Sequence, residues 1–324
     1  MSNAQISLTL EPAADTRRPM ALTPGEDFRG YLASHLGRAV LFLMTFTSVL
    51  AVLLILLFVI LRSFSFLSGY SLVEFLASRD WRPTAESPVF GSLAIIVGSL
   101  YVSFAALLFA VPLGVLAAVF LSDILSWKAR NVVKPVVEIL AAIPSVAYGF
   151  FAVLVLAPWM QKHLGLSTGT NALNASLILA IMALPTIISV AEDSISAIGR
   201  ELREASYSCG ATRMETMIKV IIPAAHSGII AAVVLGMMRA IGETMVVWMA
   251  SGNATQIPHP WWDVSQSIRT MTATIAGEMG EAPEDSEHRG ALFAIGVLLL
   301  ILTFSLNIVS EYFLSRAKKA TGKT

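Results

Sequence analysis

Six long apolar runs constrain this chain more than any other feature: Ala39–Leu61, Phe90–Leu121, Val136–Trp159, Leu173–Val190, Ile229–Ala250 and Ala291–Phe313. Each is close to, or longer than, the roughly 20 residues an α-helix needs to cross the hydrocarbon layer of a bilayer. Backbone N–H and C=O groups find no partner in lipid, so such runs must satisfy them internally as helices. The alternation that marks barrel strands is absent. The expected fold is therefore an all-α polytopic membrane protein with six transmembrane helices. Composition agrees, since 56% of the 324 residues are hydrophobic and 14% charged, against roughly a quarter charged in soluble domains. The mean hydropathy of +0.72 likewise excludes an ordinary soluble globule.

The 22 Lys and Arg balance the 22 Asp and Glu, so no net field draws the chain to nucleic acid and the placement of charge carries the information. Basic residues close to spanning segments are retained in the cytoplasm. One set of alternate loops holds Arg38, Lys128, Arg130, Lys134, Arg200, Arg203, Arg213 and Lys219. It extends into the tails through Arg17, Arg18, Arg316, Lys318 and Lys319. The other set holds only Arg62, Arg79, Arg82, Lys162, Arg269 and Arg289 beside an acidic stretch from Glu278 to Glu287. This predicts both termini in the cytoplasm.

Residues 1–35, polar and interrupted by Pro12, Pro19 and Pro24, read as a flexible cytoplasmic tail. The first apolar run is too long for a signal peptide and no small-residue cleavage site follows it, so residues 36–89 read as an anchor helix and first outer loop. Residues 90–313 form the expected core and 314–324 a basic cytoplasmic tail. The lone Cys209 excludes an internal disulfide, the five His show no metal-site spacing, and no phosphate-cradling Gly-Lys-Ser/Thr loop is present. No cofactor or metal is expected, and the chain does not itself bind ATP in the manner of such a loop. Trp81, Trp159, Trp261 and Trp262 fall near predicted span boundaries, as aromatic-belt residues do.

Residues 191–227 are unusual for a connecting segment. Helix formers and paired charges (Glu201, Arg203, Glu204) are punctuated by Gly210 and Pro223, which predicts two short helices separated by a turn. The run Glu204-Ala205-Ser206, Gly210, then Val220-Ile221-Ile222-Pro223 resembles the signature of ABC importer permeases, with Ser206 and Val220 departing mildly from it. In that family the segment is the coupling helix that docks on the ATPase, and the resemblance assigns this role to Glu204, Ala205, Ser206 and Gly210. The alternative is an amphipathic interfacial helix without a partner.

Three further stretches, Glu138–Gly149, Ala183–Asp193 and Arg239–Met245, resemble phosphate-specific permeases of the PstC type, so that the likeness spans about residues 90–313. The resemblance implies the bundle of a type I ABC importer permease in a bacterial inner membrane. It also implies a PstA-like second permease, PstB-like ATPases, a PstS-like extracytoplasmic binding protein and inorganic phosphate as substrate. The PstA type is similar in layout but does not usually continue as Thr244-Met245-Val246 does here. A permease for sulfate or molybdate is the alternative within transport; a membrane-embedded enzyme is the alternative from another class, and it lacks a convergent set of acid, base and nucleophile.

Arg239 and Glu243 fall inside the fifth apolar run, where each charge costs on the order of 3 kcal/mol even on the lenient insertion scale. On an uninterrupted helix they share one face, one turn apart. Arg239 then offers a permanently charged, forked donor to a passing oxyanion. Glu243 accepts the proton that phosphate, unlike sulfate, still carries near neutral pH. The alternative is an Arg–Glu pair that pins helices together. Gly236 and Gly242 favour close helix approach under either reading. Thr244 joins the candidate pathway, with Tyr148, Ser145 and Arg269 as weaker members. Arg269 belongs to a hydroxyl-rich outer stretch with Ser267, Thr270, Thr272 and Thr274, which otherwise reads as an ordinary polar loop. Pro112, Pro144 and Pro185 are candidate kinks.

Overall fold

The computed structural model describes residues 24–320, so most of the expected N-terminal tail lies outside the described residues. The chain divides into two units, residues 1–57 and 58–324. In the first, the described part belongs to α1 (Pro24–Leu67), whose Leu, Val and Phe side chains from Leu36 to Leu57 are exposed except for the half-buried Leu56, as those of a lipid-facing helix are.

The second unit is nearly all helix. After α1 come α2 (Leu72–Ala77) and a two-stranded antiparallel ribbon, β1 (Trp81–Arg82) with β2 (Val89–Phe90), which leads into α3 (Leu93–Val119). A π-helical turn, Phe120–Ile124, extends α3. The third apolar run is not one straight span. It forms α4 (Trp127–Ala142), α5 (Ser145–Phe151) and α6 (Ala157–Leu164), and the chain bends by 88° between α4 and the helices that follow. Pro144, at the N-cap of α5, sits at that break, where it cannot supply a backbone donor to continue α4. Pro112 and Pro185, by contrast, lie within continuous helices.

Next is α7 (Ala172–Ser196), which overruns the predicted loop start at residue 191. The two short helices predicted from the charge pattern are α8 (Arg200–Ser208) and α9 (Arg213–Thr216). The second is no separate element, because the π-helical turn Met217–Ile221 carries it into α10 (Ile222–Gly242). The fifth apolar run is also broken: α10 stops at Gly242, Glu243 adopts extended backbone, and α11 (Met245–Ala250) starts anew. A long connection leads to α12 (Met271–Glu278) and the closing α13 (Glu287–Ala320). Among the described residues, five helices are long and apolar enough to cross a membrane, six if the bent pair counts as one span.

Small residues let these helices approach closely. α7 packs most extensively on α3 and then on α10, and the buried faces of α3 and α7 are rich in alanine, including Ala106, Ala110, Ala118, Ala175, Ala183 and Ala191. A Cβ on Gly236 would lie 2.5 Å from Ile187 Cγ1, so that glycine serves close approach as expected; Gly242 faces open space and does not. Near the start of α3, a Cβ on Gly98 would lie 2.1 Å from the backbone oxygen of Arg269. Gly98→Ala must therefore push the connection before α12 outward, and is expected to cost about 1–3 kcal/mol, as overpacking does. Thermal unfolding of the detergent-purified chain measures this, and an unchanged midpoint would refute the contact.

At that end of the bundle, Trp81, Phe90, Phe66 and Phe75 pack with Leu292 and Ile295. Trp81 is thus a core residue and not the interfacial belt residue its position suggested; Trp159, Trp261 and Trp262 remain exposed.

Candidate functional site: a guanidinium at a helix break

Arg239 occupies the last turn of α10, half-buried, one turn before the break at Glu243. The carbonyl ends of helices carry partial negative charge, and two such ends, those of α4 and α10, meet at this residue. Arg239 Nη2 donates to the Ala141 carbonyl at 3.4 Å, and Nη1 donates to Thr186 Oγ1 on α7 at 3.5 Å. Both bonds are longer than the usual 2.7–3.2 Å range for N–H···O contacts, so each is weak. Nε is buried with no partner among the described residues. A guanidinium has five donors; this one makes two long bonds to protein.

The expected one-face pairing with Glu243 is not found. Because the helix ends at Gly242, Glu243 leaves the α10 spiral, and no ion pair joins it to Arg239. Its Oε1 accepts instead from the Val246 N–H at 3.5 Å, at the start of α11. Its backbone carbonyl accepts from Thr272 Oγ1 at 2.9 Å, which ties the break to α12. Thr244 occupies the N-cap position of α11 without a side-chain capping bond, and its carbonyl accepts the Trp248 N–H at 2.9 Å. Periodicity does not show this break: the Glu243 N–H reaches back to the Ala240 carbonyl at 3.4 Å, and the chain then restarts as α11.

Tyr148 is 8% exposed, and its hydroxyl donates to the Leu140 carbonyl at 2.9 Å. Tyr148 and Arg239 therefore serve neighbouring carbonyls at the end of α4, Leu140 and Ala141. Ser145 is half-buried in the first turn of α5, directly after the Pro144 break. Two breaks, at Pro144 and at Glu243, thus lie close to one cation. Sequence reasoning passed over Thr186, although it lies beside Pro185 in a quoted stretch; a hydroxyl in an apolar helix is too common to stand out.

Arg269 makes its contacts with other residues. It forms an ion pair with Glu278 at 2.5 Å, and Trp81 Nε1 and His288 Nε2 meet the other oxygen of that carboxylate, each at 2.9 Å. Thr270, Thr272 and Thr274 are buried in and before α12, where Thr270 caps the helix, so they do not form the polar loop read from sequence. In the connection before them, the Ser265 hydroxyl and then the Gln266 side chain hold the Asp263 carboxyl below the usual carboxylate range.

At the opposite end of α3, α8 presents Glu204, Ala205 and Gly210 to the surface, with Ser206 half-buried. Gly210 has φ of +82°, a left-handed conformation that reverses the chain after the helix and that a residue with a Cβ adopts at a cost. No group of three or more His, Cys, Asp or Glu placed to hold a metal ion exists among the described residues.

The chain is thus a bundle of spanning helices broken beside Arg239, with a short exposed helix at one end. The chain belongs to the family described as the binding-protein-dependent transport system inner membrane component, which matches residues 110–319. It is 38% identical over 258 residues to the probable ABC transporter permease protein YqgH of Bacillus subtilis, covering 80% of this chain and 82% of that one. It is 35% identical to the phosphate transport system permease protein PstC of Mesorhizobium japonicum, covering 77% and 80% of the two chains. A protein of the same name in Pasteurella multocida is 33% identical, covering 77% of this chain and 82% of that one.

Among solved structures, a bacterial alginate ABC transporter in complex with its pentasaccharide-bound periplasmic protein superposes with a TM-score of 0.61 over 90% of this chain and 98% of its own, at 15% identity. The MetNI methionine ABC transporter in an inward-facing conformation gives 0.54 over 68% and 93%, at 21% identity. These likenesses establish the fold, a type I ABC importer permease bundle. The chain is a multi-pass membrane permease subunit and not an enzyme; permeases of this family work with an ATPase and a substrate-binding protein.

Proposed function

We propose that the chain is a PstC-type permease that carries inorganic phosphate inward across the bacterial inner membrane, with Arg239 as the cation phosphate meets on its way. The observation that carries the site is the guanidinium with donors to spare: two long contacts and an orphaned Nε. Buried donors left without partners are costly, and a phosphate oxygen would satisfy them with charge-assisted bonds. The names of the relatives supply the substrate, since proteins called phosphate transport system permease PstC match over most of their length. Thr244, Tyr148 and Ser145 flank the same breaks and line the proposed route. Arg269, paired with Glu278, is more remote and is proposed only as a residue of the outer approach.

In this reading the chain pairs with a PstA-like permease, two PstB-like ATPases and a PstS-like binding protein. Both termini lie in the cytoplasm, and residues 90–313 form the transport core. Glu204, Ala205, Ser206 and Gly210 present α8 to the ATPase. ATP binds the closed ATPase pair more tightly, which biases the bundle toward the state open to the binding protein; hydrolysis returns it inward.

A specific observation favours a second, minor role for Arg239: its two long contacts reach from α10 to α4 and to α7. The two roles coexist. Uptake of radiolabelled phosphate into vesicles holding the complete transporter tests the proposal, with excess sulfate or molybdate as competitor. Competition by either as strong as by unlabelled phosphate would overturn the phosphate reading. Glu243→Gln removes the carboxylate that would repel a fully ionised dianion, and is expected to raise sulfate inhibition by about tenfold, or ~1.4 kcal/mol. Unchanged discrimination would remove Glu243 from the selectivity role.

A further inference from the structure

The short helix α8 is attached to the bundle in an unusual way. It is nine residues long, has no fully buried residue, and is bounded by Gly199 at its N-cap and the left-handed Gly210 after its end. Leu202, Glu204, Ala205 and Tyr207 are exposed; within the helix only Arg203 and Ser206 are half-buried. Apolar packing therefore does little to fix α8, and two glycines leave it free to hinge.

What fixes it is polar, and each contact reaches a different helix of the core. Arg203 Nη1 forms an ion pair with Asp123 in the π-helical extension of α3, with the two side chains only 17% and 16% exposed. Arg203 Nη2 donates to the Ile195 carbonyl in the last turn of α7 at 3.3 Å. Ser206 Oγ and Thr216 Oγ1 on α9, which runs on into α10, lie 2.8 Å apart. α7 packs on α3 and on α10 more extensively than any other two elements pack together among the described residues, and α10 carries Arg239 at its far end.

We propose that Arg203, through Asp123 and the Ile195 carbonyl, is the positioning residue that converts a displacement of α8 into movement of the transport core. A shielded ion pair with a second bond from the same planar fork holds orientation as well as distance, which a hydrophobic contact on so short a helix does not. Without it, α8 swings on its two glycines and the displacement is lost. The inference rests on the reading of α8 as the helix that meets the ATPase, and it adds to that reading the bundle-side half of the linkage.

The test uses the complete transporter with Cys209→Ser and a reporter, Met238→Cys, beside Arg239. Maleimide labelling of the reporter is measured with and without ATP plus vanadate, alongside ATP hydrolysis and co-purification of the ATPase. With Arg203 intact, the nucleotide is expected to change the labelling rate at least about fivefold, the low end of a typical coupling. Arg203→Ala is expected to keep ATPase binding and hydrolysis while the labelling rate no longer responds. Exchange of the two charges, Arg203→Asp with Asp123→Arg, is expected to restore part of the response, which a merely structural weakening would not allow. Asp123→Asn leaves α8 itself unaltered and carries the same expectation should Arg203→Ala fail to assemble. A full labelling response in Arg203→Ala, or in Asp123→Asn, overturns the proposal. Because labelling needs no transported solute, failure of phosphate uptake in the unaltered chain would sink the phosphate reading and leave this result standing.

Discussion

Arg239→Ala is expected to lower phosphate uptake by about 10- to 100-fold, the equivalent of one charge-assisted hydrogen bond of roughly 1.5–3 kcal/mol, while the protein still reaches the membrane. Two of its donors make long contacts, to Ala141 and Thr186, and a third is orphaned, so truncation removes little internal stabilisation. It also removes the only cation at the two helix breaks among the described residues. Arg239→Lys keeps the charge but not the fork, and is expected to recover only part of the loss. The check is initial-rate uptake normalised to the amount of assembled transporter. Uptake that survives truncation at unchanged protein levels would show that the guanidinium serves packing alone.

Glu192→Ala is expected to cost stability and not selectivity. Glu192 is 1% exposed on α7 and accepts from Arg130, from Lys134 at 2.7 Å and from Ser196 Oγ at 2.8 Å. Arg130 and Lys134 belong to α4, so this carboxylate joins α4 to α7 at the end of the bundle nearest α8. Removing one partner of a buried pair typically costs 3–5 kcal/mol. Here about 2–4 kcal/mol is expected, because both cations are more than a quarter exposed and Lys134 keeps Asp193 at 2.6 Å. The unfolding midpoint of the purified transporter reads this directly. Replacing Glu192, Arg130 and Lys134 together by apolar residues of similar volume is expected to recover much of the loss, since no charge is then left stranded. A Glu192→Ala midpoint equal to that of the unaltered chain would refute the account.

Much of the architecture was legible because lipid leaves few options. A run of twenty apolar residues has to close its own hydrogen bonds, so the existence of α1, α3, α7, α10 and α13 followed from hydropathy. The charge pattern of residues 200–216 was legible too, because Glu, Arg and Ala favour helix while Gly210 ends it. Where the runs break was less legible. Pro144 stops a helix, yet Pro112 and Pro185 do not, and the difference lies in what surrounds each proline. The break at Glu243 has no proline at all, and it undid the expected pairing with Arg239.

Glu192 shows the limit from the other side. In sequence it is one of two adjacent acids at the end of an apolar run, indistinguishable from Asp193. In the fold it points inward to two cations from a helix more than fifty residues earlier, while Asp193 stays exposed. Asp123 and Arg203 are likewise partners that no spacing relates.

The sequence by itself determined that this chain is a helical membrane protein of the importer permease family, that one arginine lies deep in its apolar region, and that a short polar helix interrupts its spans. Those properties depend on local hydropathy and on motifs read along the chain. The tertiary structure alone decided which donors Arg239 leaves unspent, that Glu243 forms no ion pair with it, and that Arg203 and Glu192 tie the helix ends together. The reason is that hydrogen-bond partners and burial are set by segments that meet only after the helices pack, at separations along the chain over which periodicity carries no information.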